Sequence, residues 1–376
     1  MRTLDLVPKV HELSRSDARR IAVRAQLLTA PRPTDPLEVV RQLWAVQADP
    51  TAAVAPSAEL VMWSRLGSAY RLGELDSALA EGSLVEFQGL IRPAEDVALF
   101  RAEMELWRDP SRLDGYEKAQ ATWVVANDGC RRDIVEKLFD EGPLPSRSLP
   151  DTTEVPWRSS GWNNDRNVRM LIELMERRGE VAVAGRDGRD RLWDLAERVF
   201  PDESAVPHEE ALRIRNERRL RALGIARARA THVPVEANDV GETGEPAVVE
   251  GVRGQWRVDP TYLGQSFEGR AAVISPLDRL VYDRKRMVEI FDFDYQLGMY
   301  KPAAQRRFGY WAMPILYGDE LVGKLDATAE RDAGVLRVDT VYEDGTWTKK
   351  QRAAVDDEIR ELARFLDLEL ELVAQP

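Results

Sequence analysis

Apolar residues fall at helical spacing from the start of the chain. Ala18, Ile21, Ala22, Ala25 and Leu28 follow Ser14-Arg15-Ser16-Asp17, whose Ser-x-x-Asp form is that of a capping box. This pattern predicts a helix that starts at Ser14 and stops before Pro31. Leu37, Val40, Leu43 and Trp44 predict a second helix after Pro36, broken at Val46-Gln47-Ala48-Asp49-Pro50. Shorter helices are expected over Pro56–Leu66 and Leu75–Ala80, followed by a strand-like segment around Leu84–Phe87.

The clearest unit runs from Asp133 to Val199. Ile134, Val135, Leu138 and Phe139 predict a helix ended by Gly142-Pro143. Val168, Leu171, Ile172 and Met175 share one face of a second helix, Asp165–Arg178, with Gly179 as its cap. The Asp187-Gly188 pair lies between Glu180–Ala184 and Arg191–Leu195, which is a strong hairpin signal. Helix, turn, helix, hairpin reads as a winged helix. Arg166 and Arg169 would then stand at the start of the groove-facing helix, and Arg186 and Arg189 on the wing.

Leu212–Gly224 is expected to be another helix, followed by an acidic loop that reaches Gly251. Beyond it the pattern changes to strands: Gln255–Val258, Phe308–Tyr317, Leu321–Leu325 and Val335–Val341. An amphipathic helix, Lys349–Leu366, follows. The fold class expected is α+β, with winged-helix units at 1–125, 126–203 and 204–262 and a β-rich domain at 263–376.

Charge narrows the partners. The 376 residues carry 53 Lys plus Arg against 65 Asp plus Glu, a net charge of -12, which argues against coating nucleic acid through bulk electrostatics. Acid concentrates in Val233–Glu250 and Asp356–Glu371. Basic residues form three groups: Arg15, Arg19, Arg20 and Arg24; Arg213, Arg215, Arg218, Arg219 and Arg221; and Arg284, Lys285, Arg286, Lys301, Arg306 and Arg307. Each group is compatible with a solvated helix face, and together they permit a basic groove. One cysteine and three scattered histidines (His11, His208, His232) fit no zinc spacing, so neither a metal nor an organic cofactor is expected. No apolar run approaches a membrane span and no secretory leader is evident, so the expected address is the cytoplasm.

Two motifs are decoys. Gly318-Asp-Glu-Leu-Val-Gly323-Lys324 has phosphate-loop spacing, but Leu325 follows the lysine and Asp319 and Glu320 put carboxylates where phosphates belong; it reads as a hairpin turn. Gly264-Gln-Ser266-Phe-Glu-Gly269 is one residue too long for a nucleophile elbow. Gln47-Ala48-Asp49-Pro50 carries more chemistry. Pro50 biases Asp49 toward extended geometry, and residues two apart in a strand project from one face, roughly 6 to 7 Å apart. An amide and a carboxylate would then share a cavity. At a helix end the same two side chains would point to nearly opposite sides.

The chain resembles the winged-helix DNA glycosylases that repair alkylated and interstrand-crosslinked DNA, the YcaQ/AlkZ-like group. The likeness spans nearly the whole chain. It rests on Leu13-Ser14 with Ala18-Arg19-Arg20 and Gln26, on Gln47-Ala48-Asp49, on Trp63-Ser64-Arg65-Leu66, on Gly142-Pro-Leu-Pro-Ser146 and on Trp193-Asp-Leu-Ala-Glu-Arg198-Val199. Most specific is the block from Ser275-Pro-Leu-Asp278 through Asp283-Arg284-Lys-Arg286, Phe293-Asp-Tyr295, Tyr300, Pro302, Arg307, Gly309-Tyr310 and Pro314-Ile-Leu to Val322-Gly323-Lys324-Leu-Asp326.

The resemblance implies three tandem winged helices and a β-barrel arranged as a C around duplex DNA, with Gln47 and Asp49 as the catalytic pair. It implies a monomeric, monofunctional glycosylase acting on N7-alkylated purines in double-stranded DNA, interstrand crosslinks included. DNA contacts are expected from Arg15, Arg19, Arg166, Arg169, Arg186, Arg189, Arg284, Lys285, Arg286, Arg306 and Arg307. Where the group carries Glu-aromatic-Trp-Ala-His, this chain has Glu86-Phe87-Gln88-Gly89-Leu90, which keeps the acid and the aromatic. Glu86 and Gln88 are therefore expected near the active site. The alternative reading is a non-catalytic winged-helix protein that binds DNA or regulates.

Overall fold

The computed structural model describes residues 9–159, 164, 166–231 and 236–373. The chain forms two compact units, one made of Met1–Glu74 with Asn216–Pro376 and the other of Leu75–Arg215.

The first unit begins with β1 (His11–Leu13), α1 (Arg15–Ala25), α2 (Pro36–Leu43), β2 (Val46–Gln47) and α3 (Ser57–Leu66). The capping box is present: Ser14 Oγ accepts the Asp17 N–H at 3.0 Å, and the Asp17 carboxylate accepts the Ser14 N–H at 3.2 Å. Asp35 caps α2 by accepting the Leu37 N–H at 2.8 Å, with Pro36 in the first turn. That helix ends at Trp44, whose φ of 61° is left-handed and whose ring is buried. Packing of the indole holds a backbone conformation that sterics disfavour, and the chain turns there into β2. Every residue of α3 is buried, so its polar side chains need partners.

In the second unit come α4 (Glu74–Ala80), β3 (Leu84–Phe87), β4 (Leu90–Pro93), α5 (Ala98–Trp107), α6 (Gly115–Ala126), α7 (Asp128–Glu141), β5 (Leu144–Pro145), α8 (Asn167–Arg177), β6 (Val181–Asp187), β7 (Asp190–Leu195) and α9 (Ala196–Val199). Its strands pair antiparallel in the order β4, β3, β6, β7, β5. Ile134, Leu138, Leu171, Met175, Trp157 and Trp193 fill the core beneath α7 and α8. The β6–β7 hairpin turns at Gly188-Arg189, as the Asp-Gly signal predicts. The start expected for α8, Asp165, lies outside the described residues. The β3–β4 hairpin turns on Gln88 (φ 52°) and Gly89 (φ 73°), and Glu176 of α8 accepts the Gln88 N–H at 3.1 Å.

The helix α10 (His208–Leu223) carries the chain back into the first unit, starting four residues earlier than its apolar pattern suggests. Then follow β8 (Ile225–Arg227), β9 (Glu245–Val249), β10 (Trp256–Val258), β11 (Ala271–Val273), α11 (Arg279–Tyr282), α12 (Arg284–Arg286), β12 (Met313–Tyr317), β13 (Glu320–Glu330), β14 (Val335–Glu343), α13 (Lys349–Phe365) and β15 (Glu369–Leu372). One sheet has the order β1, β9, β10, β8, with β1 and β9 parallel. The other has the order β11, β12, β13, β14, β15.

Two expectations need correction. Part of the acidic loop, Glu245–Val249, is a strand, because Ala247 and Val249 alternate inward against β1 and β10. Only the second half of Phe308–Tyr317 is a strand. Gly309 stands at φ 90° and packs so closely on Asp326 that a β-carbon there would overlap the carboxylate, which bends the chain out of sheet geometry.

One buried interaction ties α3 to the segment before α11. Arg65 and Asp278 form a bidentate ion pair with both side chains at 0% exposure, and Arg65 Nη2 donates to Asp278 Oδ1 at 3.0 Å. Arg65 also donates to the Gln26 carbonyl at 3.0 Å and to Ser64 Oγ at 2.8 Å, while Asp278 Oδ1 caps α11 by accepting the Leu280 N–H at 2.9 Å. The network satisfies both charges in the interior.

Removing one partner strands a buried charge. Arg65→Met should lower unfolding free energy by about 3–5 kcal/mol, whereas Arg65→Met with Asp278→Leu should recover a large part of that loss. Urea denaturation of both variants checks this, and equal losses would contradict it.

Glu176 gives a pH signature. Burial raises its carboxyl to about 8, from an ordinary 4.5, against the opposing charge of Arg191 and the Gln88 N–H. The folded state holds this proton more tightly than the unfolded chain does. The resulting stability is complete below the ordinary carboxyl pKa and is lost as pH rises through about 8. Asp326, raised to about 6 by burial and then by Asp339, acts with the same sign at lower pH. Glu176→Gln should therefore flatten the fall in melting temperature between about pH 5 and pH 8 while keeping an acceptor for Gln88. An unchanged slope in melts across that range would rule the assignment out.

Candidate active site

Gln47 closes β2, and along Gln47, Ala48 and Asp49 the side chains are half-buried, buried and half-buried. This alternation is the one an extended chain gives, in which residues two apart share a face. The helix-end geometry does not occur, because α2 has already stopped at Trp44. Asp49 folds back on its own backbone: Oδ1 accepts the Thr51 N–H at 2.8 Å in an Asx turn. Among the described residues Asp49 Oδ2 and the Gln47 amide have no hydrogen-bond partner. One carboxylate oxygen is thus fixed, and the other is open to a ligand or water.

The loop after Asp49 is fastened at several points. Ala53 accepts the Ala329 N–H at 2.8 Å, Val54 accepts from Arg331 at 3.3 Å, and Ser57 Oγ meets Ser275 Oγ at 2.8 Å in the interior. Val54 and Ala55 are fully buried. The sheet strand β13 and the Ser275–Asp278 turn therefore set where the acid stands.

The charge of Asp49 is felt by one aromatic residue. The Tyr300 phenol is raised by partial burial and next by the Asp49 charge, with Tyr282 and Tyr310 acting in the same sense and Arg284 opposing them. Arg284 lies with its guanidinium 4.4 Å from the Tyr295 ring centre and donates to the Val281 carbonyl at 2.8 Å; burial lowers its pKa. Arg306 stands 4.9 Å over the Tyr310 ring. Sequence reasoning gave no role to Tyr282, Tyr310 or Asp326. The available signal was the pair Gly298 and Gly309 bracketing an aromatic and basic stretch.

The other residues anticipated from sequence divide into three kinds. Some are internal. Arg286 is buried and donates to the Leu223 carbonyl at 2.8 Å, with burial lowering its pKa to about 10, so it cannot meet phosphate. Glu86 is buried in the second unit between Arg186 (2.7 Å) and Arg191 (2.6 Å), and Gln88 is the turn residue held by Glu176. These contacts serve packing within that unit.

Others are exposed or half-exposed but paired with acids. Arg19 bridges Asp319 at 3.1 Å and Glu320 at 3.2 Å, so the phosphate-loop look-alike is a hairpin turn pinned to α1. Arg169 pairs with Glu173 at 3.2 Å and Arg307 with Asp294 at 2.9 Å. The third kind keeps its charge toward solvent: Arg166 at the start of α8, Arg189 on the β6–β7 turn, and Lys285, whose contact with Glu289 is a loose 3.9 Å. Arg15 is half-buried at the start of α1, and Arg306 is half-buried against Tyr310.

Comparison with known proteins converges on one group. Residues 40–365 match the family model described as DNA glycosylase AlkZ-like, a span that holds Gln47, Asp49, Arg65, Asp278 and Tyr300. The structure is similar to that of the Streptomyces sahachiroi DNA glycosylase AlkZ, with a TM-score of 0.64 at 17% identity over 96% of this chain and 100% of that one. At that identity the likeness concerns the fold. With a matched span covering well over half of its length, the chain belongs to the AlkZ-like family of DNA glycosylases.

Proposed function

We propose that this chain is a monofunctional glycosylase that hydrolyses the N-glycosidic bond of N7-alkylated purines in duplex DNA, those in interstrand crosslinks included, with Asp49 and Gln47 as its catalytic pair. A purine alkylated at N7 is a cation and departs as a neutral base, so the leaving group needs little protonation. What remains is to stabilise the oxocarbenium-like sugar and to deliver water. Asp49 Oδ2 supplies the negative charge and accepts the proton of the attacking water. The Gln47 amide orients that water by hydrogen bonding. One carboxylate suffices, unlike glycoside hydrolysis, where a second acid must protonate the departing oxygen.

The observation that carries this reading is the asymmetric carboxylate: Oδ1 is held by the Thr51 N–H, and Oδ2 has no partner among the described residues, two residues from a Gln47 that is half-buried like it. Such an acid is rigid without being neutralised. We also read α7, α8 and the β6–β7 hairpin as a winged helix that meets DNA phosphates through Arg166 and Arg189.

Duplex DNA bearing N7-methylguanine, incubated with the protein and then cleaved with alkali at abasic sites, tests the assignment. Wild type should release the base. Asp49→Asn keeps an Oδ1 acceptor for Thr51 and hence the turn, yet should be slower by about 100-fold or more. Gln47→Ala should also be slower, through kcat rather than KM. Binding without base release by wild type would favour a non-catalytic DNA-binding role, and undiminished release by Asp49→Asn would remove Asp49 from the mechanism.

A further inference from the structure

Tyr300 is 72% exposed, an unusual setting for a tyrosine whose backbone is firmly held. It ends a single 3-10 turn, Gly298–Tyr300, closed by the Lys301 N–H donating to Gly298 at 2.9 Å. Arg306 Nε donates to the Lys301 carbonyl at 3.1 Å, and Gly298 packs so tightly on the Gly309 carbonyl that a β-carbon would overlap it. The turn is thereby locked against the stretch that carries Tyr310. An exposed aromatic side chain on rigid backbone is ready to stack at small cost in conformational entropy.

Two other rings of this stretch carry a cation already. Arg306 covers Tyr310 and Arg284 covers Tyr295, whereas among the described residues no cation stands over the ring of Tyr300. The turn and the acid hang from one strand: Gly298 packs on Gly309 and Gly309 on Asp326 of β13, while three residues further along Ala329 donates to Ala53 of the loop that carries Asp49. The Asp49 charge also raises the Tyr300 phenol.

Resting on the N7-alkylpurine reading above, we propose that Tyr300 is a specificity-determining residue: its ring stacks on the cationic base while Asp49 faces the sugar, so the site selects positively charged purines. A flat cation gains from an aromatic face both by stacking and by the attraction of the ring quadrupole, and a neutral base gains only the former. The ring, and not the hydroxyl, performs this task.

Two non-hydrolysable duplexes of one sequence separate the contributions. One carries N7-methylguanine on a 2′-fluoro sugar, which is cationic; the other carries the neutral isostere 7-methyl-7-deazaguanine. Wild type should bind the cationic duplex about tenfold more tightly than the neutral one. Tyr300→Ala should lose most of that preference, with affinity for undamaged duplex unchanged, and Tyr300→Phe should keep it. Because the side chain is exposed, both variants should melt within a few degrees of wild type. Retention of the charge preference by Tyr300→Ala would overturn the proposal, as would an equal loss of affinity for all three duplexes, which would make Tyr300 a general DNA contact. If wild type fails to release N7-methylguanine from a cleavable duplex, the enzymatic reading fails instead; release without any charge preference sinks only the role of Tyr300.

Discussion

A guanidinium and a carboxylate withdrawn from water, Arg65 and Asp278, form the joint on which the first unit depends. Neither charge could be buried alone, and each is saturated by further bonds to Gln26, Ser64 and Leu280. Hydrophobic packing alone would hold α3 near the Ser275–Asp278 turn but would leave its rotation and register loosely set. A planar fork facing two oxygens admits one arrangement. Ser57 and Ser275 repeat the constraint at the other end of the same helix. The joint unites residues 213 positions apart, so the proposed active-site segment before α3 inherits its placement from the C-terminal part of the chain.

From that placement the chemistry follows. The loop between β2 and α3 is short and fastened to β13 and the residues beyond it through Ala53 and Val54. Asp49 therefore cannot swing, and its Asx turn fixes which oxygen faces outward. Rigid placement of one acid and one amide is economical where the leaving group already carries the charge that other glycosidic cleavages must supply. The acidic balance of the whole chain fits this arrangement, since Arg19, Arg169 and Arg307 are spent on intramolecular pairs. Of the residues expected to meet DNA, Arg166, Arg189 and Lys285 keep their charge toward solvent.

Local signals were legible in the sequence and distant ones were not. The capping box at Ser14, Pro36 after Asp35 and the Asp-Gly hairpin each act within a few residues, and each element stands where its signal lies. A bias of Asp49 toward extended geometry was readable from Pro50. The parallel pairings of β1 with β9 and β14 with β15 were not, because nothing near His11 or Glu369 encodes a partner hundreds or tens of residues away. Charge misled where burial was hidden. Arg286 looked like part of a basic patch, although Tyr282, Ile290 and Phe293 at helical spacing around it mark a face that turns inward. Glu86 sits in the apolar run Leu84, Val85, Phe87; a buried strand with an acid in it requires cations, which Arg186 and Arg191 provide. The environment of Tyr300 depends on two glycine close approaches that have no local pattern.

The most direct test of the central claim is a crystal structure bound to duplex DNA in which one sugar is replaced by a cationic pyrrolidine, a mimic of the oxocarbenium state. Asp49 Oδ2 should lie at roughly 3 Å from the ring nitrogen, with Oδ1 still on the Thr51 N–H and a water held by the Gln47 amide. A pyrrolidine bound elsewhere, or an Asp49 carboxylate turned away from it with the Asx turn intact, would contradict the account.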